Sequence, residues 1–177
     1  MCLVGQRLLI GDQNYPAIVA IDLATGRAWL WEKGDARCRC PVALATDGQG
    51  KVYVADTTLR AVLVYDINGR LLNTLQPDAA AAPRFRPAAL AWHEGVLYVG
   101  NVGDRRIDRY ARVPSPMATQ PDAQATTIEA GFWETPITGS DTARIVAPCG
   151  LAVLPDGGLL VADAVLGTLN RFSPTGF

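Results

Sequence analysis

The chain has 177 residues, 49% of them hydrophobic, with 16 basic and 17 acidic residues and a formal net charge of −1. That length is enough for one domain with a sizeable core. The charge balance excludes a global pull toward nucleic acid or an acidic membrane surface. No apolar run approaches the length needed to span a bilayer, so no membrane span is expected.

In chain order, the start MCLVGQRLLIGD does not read as a secretory signal, because Gly5, Gln6 and Arg7 interrupt the apolar stretch and no small-residue cleavage site follows. The compartment stays open between the cytoplasm and, if a leader has been removed, export to a periplasm. In the second case Cys2 is a candidate anchor. Residues 1–6 read as a lead-in. Runs at 8–11, 18–21 and 28–31 then predict three strands, with a turn at 24–26 and a loop at 33–40. Next come four predicted strands at 42–45, 52–55, 61–65 and 71–75, a loop at 76–86, and strands at 88–92, 97–100 and 106–110. Residues 111–147 add roughly 15 residues to the standard spacing. VPSPMATQPDAQATT within them reads as an extended surface loop, with 126–130 as an outer strand and GFWETPITGSDTA as a connection. Strands at 151–153, 159–162 and 168–172 close the chain, for an expected count of three, four, four and three.

These segments repeat. Fifteen residues after Pro41 comes Asp56, closing VYVAD, and nine further on is Tyr65. Fourteen after Pro87 comes Asn101, closing LYVGN, and nine on is Tyr110. Fifteen after Pro148 comes Asp163, closing LLVAD, and nine on is Phe172. At the start, Asp12 and Ile21 keep the spacing of nine. Fixed-period self-similarity is the mark of a repeat architecture. The runs are almost wholly apolar and rich in Val, Leu and Tyr, which implies strands buried on both faces. Radial stacking of four-stranded blades supplies that cover.

The pattern P-x-x-L-A, a Gly-containing turn, Y-V-A-D, then V-x-V-Y-D and N-G, resembles the NHL repeat family of β-propellers, over residues 7–177 apart from the insertion. The resemblance implies an all-β fold of antiparallel four-stranded blades in a single domain, 1–177. Its parts are a partial blade at 7–32, a blade at 41–75, a blade at 87–130 with an insertion at 111–147, and a partial blade at 148–177. The first blade is expected to lack its inner strand and the last its outer one. The ring is then partial or completed by oligomerisation, with self-association through the incomplete blades; a ring of four blades closing alone, two of them thinned, is the less favoured reading.

Asp12, Asp56, Asn101 and Asp163 occupy the same place in each repeat. Symmetry spreads them apart rather than converging them on a metal, and each is expected to cap the turn after its strand. Calcium-dependent gluconolactonase-like propellers resemble this repeat and carry Asn or Asp where the inner strands begin. The matching positions, Val42, Ala88 and Gly150, cannot ligate a metal. A peptide-amidating lyase resembles it too, but its zinc needs several histidines, and this chain has His93 alone. No cofactor or metal is expected, and the reading leans away from an enzyme. The alternative is part of a larger propeller hydrolase or lyase, lactonase-like, whose catalytic residues lie elsewhere. Cys38, Cys40 and Cys149 allow a disulfide or a thiolate cluster, but without a C-x-x-C pair they read as unpaired thiols.

The arginines carry the candidate binding surface. In a propeller the loop after the outer strand and the loop after the second strand share one face. Arg37, Arg39, Arg84, Arg86 and Arg144 fall in the first loop type, and Arg60, Arg105 and Arg106 at the second. Trp133 and Phe85 are expected beside them. Arg with aromatics is the usual make-up of an interaction surface. The competing reading pairs these arginines with Asp35, Asp78, Asp104, Glu134 and Asp141. The expected partner is a protein or a small polar ligand, with nucleic acid a minor option.

Overall fold

A computed structural model of the chain describes residues 1–32, 38–112, 131–140 and 144–173. Every regular element in it is a β-strand. The described residues divide into two compact units, one of residues up to 76 and one of residues from 77 onward.

The first unit holds two blades. Blade 1 is β1 (Cys2–Val4), β2 (Arg7–Asp12), β3 (Ala17–Asp22) and β4 (Ala28–Leu30), antiparallel in that order. Blade 2 is β5 (Pro41–Thr46), β6 (Lys51–Asp56), β7 (Ala61–Asp66) and β8 (Leu71–Leu75), with the same topology. Blade 1 therefore has the inner strand that the repeat spacing does not suggest. Residues 2–4 pair with Arg7–Leu9 across the tight Gly5-Gln6 turn, where Gly5 takes φ 58°. Central strand β6 is buried along its whole length, as its unbroken apolar run requires. The two sheets pack through Leu9, Ile18, Leu44, Val54 and Leu63, with Trp31 against Tyr65 at 5.5 Å between ring centroids.

The second unit repeats this. Blade 3 is β9 (Pro87–His93), β10 (Val96–Asn101), β11 (Arg106–Arg112) and β12 (Gly131–Thr138). Blade 4 is β13 (Pro148–Val153), β14 (Leu159–Asp163) and β15 (Thr168–Phe172), three strands among the described residues. Tyr98, Ile107, Ile137, Leu159, Val161 and Phe172 form its core. The outer strand of blade 3 is 131–138, not the expected 126–130, which lies outside the described residues. GFWETPIT pairs with β11, Trp133 opposite Tyr110 and Ile137 opposite Ile107, and Ile137 is buried. Its Gly, Pro and Thr hide a strand in a run that reads as a connection.

Inner strands β5, β9 and β13 share a further feature. Pro41 pairs with Asp56 but Ala43 with Ala55, so Val42 is an extra, bulged residue. The same register shift sets apart Ala88 in β9 and Cys149 in β13. The residue equivalent to Val42 and Ala88 is thus Cys149, the residue after Pro148, and the match of Gly150 to them is corrected by one position.

Candidate ligand-binding ends of the blades

The recurrent acids build one end of each blade. Asp56 is fully buried. Its Oδ1 accepts the N–H groups of Thr58 (3.0 Å) and Leu59 (2.8 Å), capping the turn after β6. Its Oδ2 accepts the N–H groups of Arg39 and Cys40, in the loop that leads into β5. Asp163 does the same in blade 4. Oδ1 serves Val165 and Leu166, and Oδ2 serves Val146 and Ala147. In blade 1 Asp12 caps Asn14 and Tyr15. The expected capping role is therefore half of the arrangement. In blades 2 and 4 the second oxygen also ties the entry loop to the turn, so one side chain orders two loops. Burial by itself would raise the pKa of Asp163, but its backbone N–H donors hold the carboxyl below the usual range.

Blade 3 varies the theme. Asn101 Oδ1 accepts the N–H groups of Arg86, Gly103 and Asp104. Its Nδ2 donates to Asp104 (2.9 Å) and to Asp108 (2.7 Å). Asp108 stands at the register position of Leu63 in blade 2 and is buried. Burial raises its pKa, opposed by the Asn101 amide and by the Arg106 guanidinium at 2.7 Å. An amide is needed at 101 because an aspartate there would face two carboxylates with no donor.

The residue before the acid is Gly11, Ala55, Gly100 or Ala162. A Cβ on Gly11 would lie 3.0 Å from the Pro41 carbonyl oxygen, and one on Gly100 would lie 2.8 Å from that of Pro148. The proline that opens the following blade therefore packs on this position within each unit.

Upon these two-loop ends stand the arginines. In the first unit Arg39 and Arg60 are exposed, and Arg37 lies outside the described residues. In the second, Arg84, Arg86, Arg105 and Arg144 are exposed. None of these six guanidinium groups has a hydrogen-bond or ion-pair partner among the described residues. The acids expected to neutralise them are engaged elsewhere. Asp104 accepts the backbone N–H of Arg84 and the Asn101 amide, Asp78 caps Ala80, and Glu134 holds Arg109 at 2.7 Å. Asp35 and Asp141 lie outside the described residues. Arg106 differs from the rest, because it binds Asp108 and donates to the Ala81 carbonyl.

The aromatics expected beside the arginines are less open than the arginines themselves. Phe85 is buried, and Trp133 is half-buried edge-on between Phe85 (5.6 Å) and Tyr110 (5.3 Å). A single sequence gives no means of telling a packed Trp beside an Arg loop from a presented one.

No group of three or more His, Cys, Asp or Glu side chains able to hold a metal occurs among the described residues, and the four cysteines are free thiols. His93 lies 3.8 Å from Glu94 in the turn between β9 and β10, and lines an open groove of about 430 Å³ with Tyr98 and Asp156. Among the described residues no helix is long and apolar enough to cross a membrane.

No family model and no curated protein matches the sequence. Solved structures do match the fold. The computationally designed protein Ika4 aligns with a TM-score of 0.59 at 15% identity, over 97% of this chain and 87% of its own. The fold is of the β-propeller type. A chain of the Mitotic Checkpoint Complex aligns at TM-score 0.63 and 14% identity over 94% of this chain, and a protein of unknown function from Bacteroides caccae at 0.62 and 14% over 97%. This chain spans 45% and 56% of those two. Identities this low carry the fold and no activity.

Proposed function

We propose that these blades form an NHL-type propeller scaffold that binds a protein or a small polar ligand through its arginine-bearing blade ends. The observation that carries this reading is the set of exposed, unpartnered guanidinium groups of Arg39, Arg60, Arg84, Arg86 and Arg105. They sit on loops whose backbones are fixed by buried Asp56 and Asn101. A cation held on a pre-ordered backbone loses little further freedom on binding. Rigid scaffolds presenting polar loops are the usual design of binding proteins.

The test is retention on a carboxymethyl resin at pH 7 and low salt. The chain has a sequence pI near 5.8, so overall charge predicts flow-through. Locally concentrated arginine predicts delayed elution, abolished in R39S/R60S/R84S/R86S/R105S and by raised salt. Elution of the wild type in the void volume refutes the reading.

A further inference from the structure

We infer that Arg60 and Arg105 are ligand-reading residues held in a conformation that their own side chains disfavour, and that the partner they read is an acidic polypeptide segment. This rests on the scaffold reading above and specifies its site and partner.

In blades 2 to 4, unlike blade 1 where Pro16 stands four residues after Asp12, the capping side chain is followed four residues later by the last position of its turn. That position is Arg60 after Asp56, Arg105 after Asn101 and Gly167 after Asp163. Their φ angles are 52°, 57° and 62°. All three turns therefore need the left-handed backbone region, and blade 4 meets the need with the residue suited to it. Glycine enters that region freely, and Asn or Asp tolerate it, whereas a long side chain is disfavoured there. Blades 2 and 3 nevertheless carry arginine. Its side chain does nothing visible for the fold, since neither guanidinium has an intramolecular partner among the described residues and both residues are exposed. The backbone is fixed by other groups. Gln76 Nε2 donates to the carbonyls of Leu59 and Arg60, and Asn101 caps Gly103 and Asp104. Unfavourable backbone conformations retained at exposed positions point to function, because nothing in the folded state repays them.

The neighbours of these residues make the same point. The side chain that caps each turn also binds the backbone N–H of an arginine in the entry loop, Arg39 through Asp56 and Arg86 through Asn101. Asp104 adds Arg84. Each unit thus presents its own set, Arg39 with Arg60, and Arg84 and Arg86 with Arg105, on a shared hydrogen-bonded base.

Arginine forks match carboxylates and phosphates alike. One observation favours carboxylates on a polypeptide over nucleic acid. Binding of single-stranded nucleic acid leans on exposed aromatic rings for base stacking. In the second unit Phe85, between Arg84 and Arg86 in sequence, is buried against Trp133, and Trp133 packs on Tyr110; in the first unit one exposed ring, Tyr15, lines a pocket with Arg39, which is a single ring rather than a row of them.

The experiment is fluorescence anisotropy of a labelled polyglutamate peptide with the full chain at low salt, with single-stranded polyuridylate as the competing probe. Wild type, R60G and R105G are compared, each with its urea unfolding midpoint. Polyglutamate is expected to bind in preference to polyuridylate. Each substitution is expected to weaken it about three- to fivefold, the scale of an exposed ion pair. Since glycine relieves the turn, neither variant loses stability. Three results overturn the inference while leaving the scaffold reading intact, provided the resin still retains the protein. These are R60G and R105G binding like wild type, a lowered unfolding midpoint in either variant, and tighter binding of polyuridylate. Loss of both resin retention and polyglutamate binding removes the scaffold reading itself.

Discussion

Exchanging the amide and the carboxylate between blades 2 and 3 should be costly in both directions, for opposite reasons. In D56N the side chain keeps one acceptor oxygen. Its new amide must then face two backbone N–H groups, either those of Thr58 and Leu59 or those of Arg39 and Cys40. Two charge-assisted bonds are lost and two donors are left opposing a donor. At about 1.5–3 kcal/mol per bond to a charged group, discounted because the loop N–H groups can reach water, the loss should be about 3 kcal/mol. In N101D the two Nδ2 bonds of 2.9 and 2.7 Å vanish, and a third carboxylate joins Asp104 and Asp108. The loss should again be about 3 kcal/mol at pH 7, and it should shrink as the solution is acidified and the crowded carboxyls take up protons. Urea unfolding followed by tryptophan fluorescence reads both. A further variant isolates the cause, since N101D/D108N places an amide donor beside the carboxylate introduced at position 101 and should be more stable than N101D alone. Losses within about 0.5 kcal/mol, the level of an ordinary surface change, would refute the two-loop account of these residues. So would a double variant no better than the single one.

Three other outcomes follow from the same geometry. In Gly69→Ala the new Cβ would meet the Trp31 carbonyl carbon and oxygen at 2.8 and 2.0 Å, at a φ of 82°. Both atoms are backbone, so a loss of at least about 3 kcal/mol in urea midpoint measurements is expected. Asp163, whose folded pKa is lowered, contributes stability that is fully present above its unfolded value near about 4 and is lost as pH falls through the folded value. The stability gap between wild type and D163N should therefore narrow on acidification below that point, and a gap that widens would contradict the assignment. The thiols should alkylate in the order of their exposure. Cys149 reacts first, while Cys38, buried and with its pKa pushed up by burial and by Glu32, reacts only on unfolding. Mass spectrometry of timed iodoacetamide quenches measures this.

Much of the architecture could be read from the spacing of Pro41, Asp56 and Tyr65 and its echoes, because a blade must bury both faces and so leaves unbroken apolar runs. The parts that could not be read are those where local chemistry and tertiary role diverge. Residues 2–4 pair with β2, yet three residues give no period. Residues 131–138 form a strand despite Gly131 and Pro136, because pairing with β11 outweighs propensity. Asp108 sits in a column that holds Val19 in blade 1, Leu63 in blade 2 and Asn170 in blade 4, and its Arg106 and Asn101 partners explain a buried carboxylate there. At the candidate site, the capping role of the acids followed from turn chemistry. Their second oxygen serves a loop 16 or 17 residues away, which no local pattern encodes. The arginines were legible as loop residues, but the left-handed turns beneath Arg60 and Arg105 were not, because sequence alone does not say which residue of a turn carries positive φ.

Glu32 gives the first two blades a common fate. Its Oε2 accepts the N–H of Ile18 in β3, and its Oε1 accepts the N–H of Cys38 and the hydroxyl of Tyr65 in β7. Trp31 beside it donates to the Ile67 carbonyl. One carboxylate thus bridges a strand of blade 1, the loop between the blades and the core of blade 2. Opening either blade breaks a bond to this shared carboxylate, that of Ile18 in blade 1 or that of Tyr65 in blade 2. Amides of β3 and β7 should therefore exchange with deuterium at a common free energy, as one cooperative unit, although they belong to different sheets.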